Sequence, residues 1–183
     1  MQNKKRCVII GAAEIKDYKH IKSLLKDDDF FIVCDAGLNH VRNLKINPDL
    51  IAGDFDSFKK KIPSRYKNIR IITLPCEKDD TDTFFAVKEA VKLGFNDFLL
   101  IGVTGQRLDH TMANISALVY LHKNNCTAKI ADDYSLMQIA EKNTVKIKSG
   151  CSYFSLIPLT GKASGINISG AHYPLKNGQV DID

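Results

Sequence analysis

The sequence predicts an α/β protein, with a parallel α/β sheet domain over residues 1–133 followed by a smaller all-β, sandwich-like domain over residues 134–183. Three observations carry that reading. Short apolar runs such as Cys7-Val8-Ile9-Ile10 and Phe30-Phe31-Ile32-Val33-Cys34 have the length and composition of strands buried on both faces. Stretches with apolar residues three and four apart lie between such runs, so strand and helix alternate. Beyond Asp133 the helical period disappears, and short β-type runs are broken by Asn, Gly, Ser and Pro.

The first strand, Cys7 to Ile10, closes at Gly11, and Tyr18 to Lys26 places Ile21, Leu24 and Leu25 at helical spacing. The second, Phe30 to Cys34, stops at Asp35-Ala36-Gly37, after which Leu38, Val41 and Leu44 recur at i, i+3. A third, Leu50 to Ala52, is entered through Asn47-Pro48-Asp49. The fourth, Ile69 to Leu74, is closed by Pro75. The helix after it carries Phe84, Val87 and Val91 on one stripe and ends at Gly94, a suitable residue just past a helix C-terminus. The fifth strand is Phe98 to Val103. From Asp109, which suits an N-cap, a helix runs through Met112, Ile115, Leu118, Val119 and His122. A sixth strand, Thr127 to Ala131, ends at Asp132-Asp133. The β-rich region then offers Leu136 to Ala140, Val145 to Ile147, Tyr153 to Ile157 and Ile166 to Ile168.

With 44% hydrophobic and 26% charged residues in 183, the chain has a globular composition and enough length for a sizeable core. The net charge of +5 is spread out. Its densest clusters, Lys4-Lys5-Arg6 and Lys59-Lys60-Lys61, read as solvated faces, so no nucleic-acid partner is predicted. Five cysteines lie far apart without a C-x-x-C, which predicts reduced thiols in a cytoplasmic protein and neither disulfides nor zinc. No apolar run is long enough to span a bilayer and no secretory signal is evident, so no membrane association is expected.

Ligands of open parallel sheets bind outside the carboxyl ends of the strands. Asp35 follows the second strand, Asp54 and Asp56 the third, Asp79 and Asp82 the fourth, and Arg107 and Asp109 the fifth. Each has a plain structural account as a turn former, a first-turn charge or a cap. Together they would repel one another, and such a cluster wants a divalent cation. In Asp54-Phe55-Asp56 an extended backbone sends both carboxylates to one side, a pair of hard donors suited to Mg²⁺. Neither the P-loop nor the dinucleotide fingerprint occurs. Backbone N–H groups at Thr104-Gly105 could still receive an anion, and Arg107 offers the planar fork that pairs with phosphate oxygens. His110 could face the site. His20, His40, His122 and His172 are scattered and carry no predicted metal or catalytic role.

Gly53-Asp54-Phe55-Asp56-Ser57, Glu77-Lys78-Asp79-Asp80-Thr81-Asp82 and Gly102-Val103-Thr104-Gly105-Gln106-Arg107-Leu108-Asp109-His110 resemble the three signature stretches of thiamine pyrophosphokinases, in the family's order. Tyr153-Phe154-Ser155-Leu156-Ile157-Pro158-Leu159 and Tyr173-Pro174-Leu175 are similar to its carboxyl-terminal domain. The resemblance implies Mg²⁺-dependent transfer of the pyrophosphoryl group of ATP to the hydroxyl of thiamine, giving thiamine diphosphate and AMP. By that similarity Asp54, Asp56 and Asp82 hold Mg²⁺, and with Asp109 they form the catalytic set. Lys78, Thr81 and Arg107 contact ATP, with Asp35, Asp79 and Gly105 on the same nucleotide side. It also implies a homodimer that holds thiamine between the amino-terminal domain of one subunit and the carboxyl-terminal domain of the other.

Ala36 and Gln106 stand where the family often has glycine, and the chain ends at Asp183 before an expected Ser-Asn motif. The β-rich domain is therefore expected to be truncated. Two alternatives remain at this point: a D-x-D nucleotide-sugar transferase, and a non-enzymatic Mg–ATP-binding module.

Overall fold

Successive residues of a strand face opposite ways, so a strand that is apolar throughout has to be covered on both sides. The computed structural model, which describes residues 5–54, 64–74, 81–105, 107–142, 144–147 and 151–182, meets that demand with helices on both faces of one sheet. Its elements are β1 (Cys7–Ile10), α1 (Tyr18–Ser23), β2 (Phe30–Cys34), α2 (Leu38–Leu44), β3 (Leu50–Gly53), β4 (Arg70–Thr73), α3 (Asp82–Lys92), β5 (Asp97–Ile101), α4 (Leu108–Lys123), β6 (Thr127–Ala131), β7 (Leu136–Gln138), β8 (Lys162–Ile168) and β9 (Leu175–Asp181).

Cys7, Ile9, Ile32 and Leu100 pack with Ala86 and Val87 of α3 and with Leu118 and Leu121 of α4. The alternate residues Val8, Ile10, Val33 and Ile101 pack with Ile21 of α1 and with Val41 and Leu44 of α2. Each fully buried aliphatic side chain contributes up to about 1.5–3 kcal/mol, and the two-sided pattern locks the register, since a one-residue slip would exchange the faces. One charged pair is built into this unit. Asp29, whose side chain is fully buried, accepts from Arg6 Nε at 2.9 Å and Arg6 Nη2 at 2.6 Å, and also from the Lys26 N–H.

The strand order is β4-β3-β2-β1-β5-β6-β7, parallel except for the last pair. From β1 the chain winds outward through β2, β3 and β4, then restarts on β1's other side with β5. The reversal leaves a crevice between the carboxyl ends of β1 and β5, where open α/β sheets take their ligands.

Three expectations need correction. The fifth strand stops at Ile101, because Gly102 turns the chain out of the sheet with φ +61°. Helix α4 begins at Leu108 with Arg107 in the cap position, so Asp109 sits inside the first turn and its carboxylate pairs with Arg107. The sheet also runs on past Asp133: Asp132 Oδ1 accepts from the N–H groups of Tyr134 and Ser135 and from the Ser135 hydroxyl, closing a turn that returns β7 against β6. The stretch expected to mark the domain boundary is thus a hairpin turn.

The chain divides into compact units at residues 1–141 and 142–183. In the second, β8 and β9 form an antiparallel sheet with register shifts around Ile166. Val145 to Ile147 and Tyr153 to Ile157 form no strand. Among the described residues no helix is long and apolar enough to cross a membrane.

Candidate active site

The parallel register sets Cys34 beside Ala52, so the chain leaving β2 and the chain leaving β3 emerge together. Asp35 opens a 3-10 turn, Asp35–Gly37, with left-handed φ +42°, a conformation that Asp tolerates better than most residues. The turn lies directly on the end of β1: a Cβ on Gly37 would stand 2.5 Å from the Ile10 carbonyl oxygen. Asp54 follows β3 immediately. Asp82 is the first residue of α3, behind Thr81, whose hydroxyl accepts the Phe84 N–H at 3.2 Å as a side-chain cap. Cys34 Sγ touches the Asp82 carbonyl at 3.8 Å, joining the α3 start to the β2 end.

Asp35, Asp54 and Asp82 each offer an oxygen, and these lie within 4.8 Å of one another. Asp35 is buried and the other two are half-buried. Burial pushes the Cys34 thiol pKa up, and the negative charges of Asp82 and Asp35 push it further. The donor set fits Mg²⁺: all three ligands are hard carboxylate oxygens without nitrogen or sulfur. Opposite ligands of an octahedral Mg²⁺ stand about 4.2 Å apart, within a small side-chain adjustment of this spacing. Asp35, expected among the nucleotide contacts, thus stands with Asp54 and Asp82. Asp56, Lys78, Asp79 and Gln106 lie outside the described residues.

Across the crevice, Gly102 follows β5 and Arg107 precedes α4. Arg107 Nε donates to Asp109 Oδ1 at 3.2 Å, and Nη2 donates to Oδ2 at 2.5 Å. The hydrogen bond and charge of Arg107 hold the Asp109 carboxyl well below the usual range, at about 2. The Gly105 N–H, expected to face an anion, donates to the Thr111 hydroxyl at 3.2 Å, and that hydroxyl donates to the Arg107 carbonyl.

Several supporting residues were not foreseen. Asn114, buried in α4, donates to the Val103 carbonyl at 2.7 Å and ties the helix to the strand end. Thr104 donates to Asp132, and Asp133 accepts the N–H groups of Lys16 and Asp17, each at 2.9 Å. The signal for the last two was visible as an Asp pair at a sixth strand end. Thr111 and Asn114 lie on the same helix but off the residues that its apolar spacing singled out.

Fold and site together define a doubly wound α/β protein with an acidic cluster and a guanidinium at the carboxyl edge of its sheet. Residues 21–130 match the family model of the thiamin pyrophosphokinase catalytic domain, and residues 142–183 that of the thiamin pyrophosphokinase vitamin B1 binding domain. The chain belongs to the thiamin pyrophosphokinase family. It is 26% identical over 156 residues to thiamine pyrophosphokinase of Bacillus subtilis, covering 83% of this chain and 73% of that protein. Thiamin pyrophosphokinase 1 of Caenorhabditis elegans is 23% identical over 184 residues, covering 93% and 74%.

The fold is shared with solved structures. The thiamine pyrophosphokinase crystal structure from B. subtilis superposes with a TM-score of 0.83 at 23% identity, over 97% of this chain and 85% of that one. The Geobacillus thermodenitrificans enzyme gives 0.77 at 23% identity, over 96% and 83%. The family's enzymes are transferases that form thiamine diphosphate by pyrophosphoryl transfer from ATP, and the chain is of that reaction class. These matches favour that class over the nucleotide-sugar transferase alternative.

Proposed function

We propose that the chain transfers the pyrophosphoryl group of ATP to the hydroxyl of thiamine and releases AMP, with Mg²⁺ held by Asp35, Asp54 and Asp82. The observation that carries this reading is the convergence of those carboxylates at the strand ends of a domain matched by the family's catalytic model. In the transfer, the thiamine oxygen bonds to the β-phosphorus while the bond from that phosphorus to the bridging oxygen of AMP breaks. Phosphoryl-type transfer depends mainly on positioning and charge neutralisation, and Mg²⁺ supplies the latter when bound.

The protein's own groups do the positioning. Arg107, exposed and paired with Asp109, can exchange that partner and turn its planar fork to phosphate oxygens. Thr81 fixes the α3 start and with it the Asp82 carboxylate. Asp56, Lys78 and Asp79 are assigned to the same site by their place in the family's motifs. Residues 142–183 are assigned to thiamine binding and to a homodimer. Their family-model match and the exposed Tyr153, Ile157 and Tyr173 support this. A cytoplasmic location fits the free thiols of Cys7, Cys34, Cys126 and Cys151 among the described residues.

Incubation of the purified protein with Mg–ATP and thiamine, followed by identification of the nucleotide product, tests the reading. AMP formed only when thiamine is present is the expected result. ADP would indicate an ordinary kinase, and no thiamine-dependent product would leave a nucleotide-binding module.

A further inference from the structure

Asp133 stands just past the end of β6 and takes no part in the transfer described above. Its Oδ2 accepts the Lys16 N–H and its Oδ1 the Asp17 N–H, each at 2.9 Å. Both oxygens of one half-buried carboxylate are thus occupied by consecutive backbone donors from the far end of the domain's sequence. Hydrogen bonds to an ionised acceptor are roughly twice as strong as neutral ones. The two donors close the segment of residues 11–17, which leaves β1 and runs to α1, where the Asp17 side chain caps the helix by accepting the His20 N–H. In the sheet β5 lies between β1 and β6, so the clamp reaches across the carboxyl end of β5.

This segment forms one wall of the crevice between β1 and β5. At its start the Gly11 N–H donates to the Ile101 carbonyl at 2.9 Å and the Ala13 N–H to the Gly102 carbonyl at 2.8 Å. Gly11 is wedged between two neighbours: a Cβ on Gly37, in the turn that carries Asp35, would lie 2.8 Å from the Gly11 oxygen, and a Cβ on Gly102 would lie equally close. Further on, Ile15 is buried in the core. Ala12 and Glu14 are exposed, and their N–H groups have no acceptor among the described residues. Exposed backbone donors at a strand end suit phosphate oxygens, provided that the backbone is held still.

We propose that Asp133 is a positioning residue for the nucleotide. By clamping Lys16 and Asp17 across the end of β5, it fixes residues 11–17 as a wall whose open N–H groups meet the phosphates of ATP. Its effect is therefore on ATP and not on thiamine. The inference rests on the pyrophosphokinase reading, and the two fail differently: a wild-type protein without thiamine-dependent AMP defeats that reading, whereas the comparisons below use an active wild type.

Asp133→Ala removes both acceptors and is expected to raise KM for ATP about tenfold while KM for thiamine stays within about twofold. Asp133→Asn keeps one acceptor and should raise KM for ATP by less. Asp49→Ala is the control, because the Asp49 carboxylate accepts the Phe31 N–H at 2.8 Å where β2 and β3 begin, at the opposite edge of the sheet. It removes a comparable contact and should leave KM for ATP unchanged. Equal shifts in both KM values at Asp133, or an Asp49 variant that matches Asp133→Ala, would overturn the proposal. A second measurement needs no variant. In the wild-type protein, Mg–ATP without thiamine should slow amide hydrogen exchange at Lys16 and Asp17, and thiamine without nucleotide should not. Exchange unchanged at a Mg–ATP concentration that saturates AMP formation would overturn it.

Discussion

Arg107 and Asp109 hold one another across the start of α4, with side chains 67% and 64% exposed. An ion pair so open to water adds little to stability. Its consequence is positional, since the guanidinium at the start of α4 is held by a partner it can exchange for phosphate.

The pairing makes a titration prediction. Asp109 is held at about 2, chiefly by the Arg107 hydrogen bond. Because this carboxyl is depressed when folded, its contribution is present above the ordinary value of about 3.9 and is lost as pH falls through about 2. Between roughly pH 5 and 9 Asp109 therefore changes neither charge nor stability. Arg107→Ala should return its carbon-13 titration midpoint toward about 3.9 and raise KM for ATP.

Asp54→Asn is expected to lower kcat by about 10²–10³ with the melting profile retained. Binding of Mn²⁺, followed by electron paramagnetic resonance, should weaken in the same variant. Unchanged Mn²⁺ affinity would place the cation elsewhere.

Asp29→Asn leaves the Arg6 guanidinium, 14% exposed, without its charged partner. Breaking such a buried pair costs about 3–5 kcal/mol, and urea unfolding should show a loss of that order. Activity per folded molecule should not change, since the pair lies away from the acidic cluster in sequence and in its contacts.

Thr81→Ala removes the hydroxyl that accepts the Phe84 N–H and should cost about 1 kcal/mol. Thr81→Ser restores the cap. If Ser also restores KM for ATP, the hydroxyl serves the nucleotide as well as the helix. If stability returns without affinity, Thr81 contributes through its methyl packing or not at all.

How far the sequence reached differs from one element to another. The strands at Cys7, Phe30 and Phe98 and the helices carrying Val87 and Leu118 were legible because burial on two faces leaves an apolar run, and burial on one leaves a stripe. β7 was legible as the Leu136 to Ala140 run, but its pairing with β6 was not, since an exposed edge strand of three residues after a polar turn carries no sign of which sheet it joins. β9 was missed for a related reason: Leu175–Asp181 is polar and largely exposed, so its pairing with β8 leaves little pattern in the composition.

The same division runs through the site. Local sequence indicated which groups follow each strand: Asp35 and Asp54 come directly after β2 and β3, whereas Asp82, Arg107 and Asp109 stand further on, at the starts of α3 and α4. Which of them meet was decided by strand order and register. Asp35 joins Asp54 and Asp82 because β2 lies between β1 and β3 and its end is parallel with theirs. Arg107 pairs with Asp109 because it stands in the cap position of α4, two residues before that carboxylate. His40 meets Tyr18 only through the packing of α2 on α1, a contact between residues 22 apart. Periodicity reports a residue's own burial, whereas its partners depend on distant segments that folding brings together.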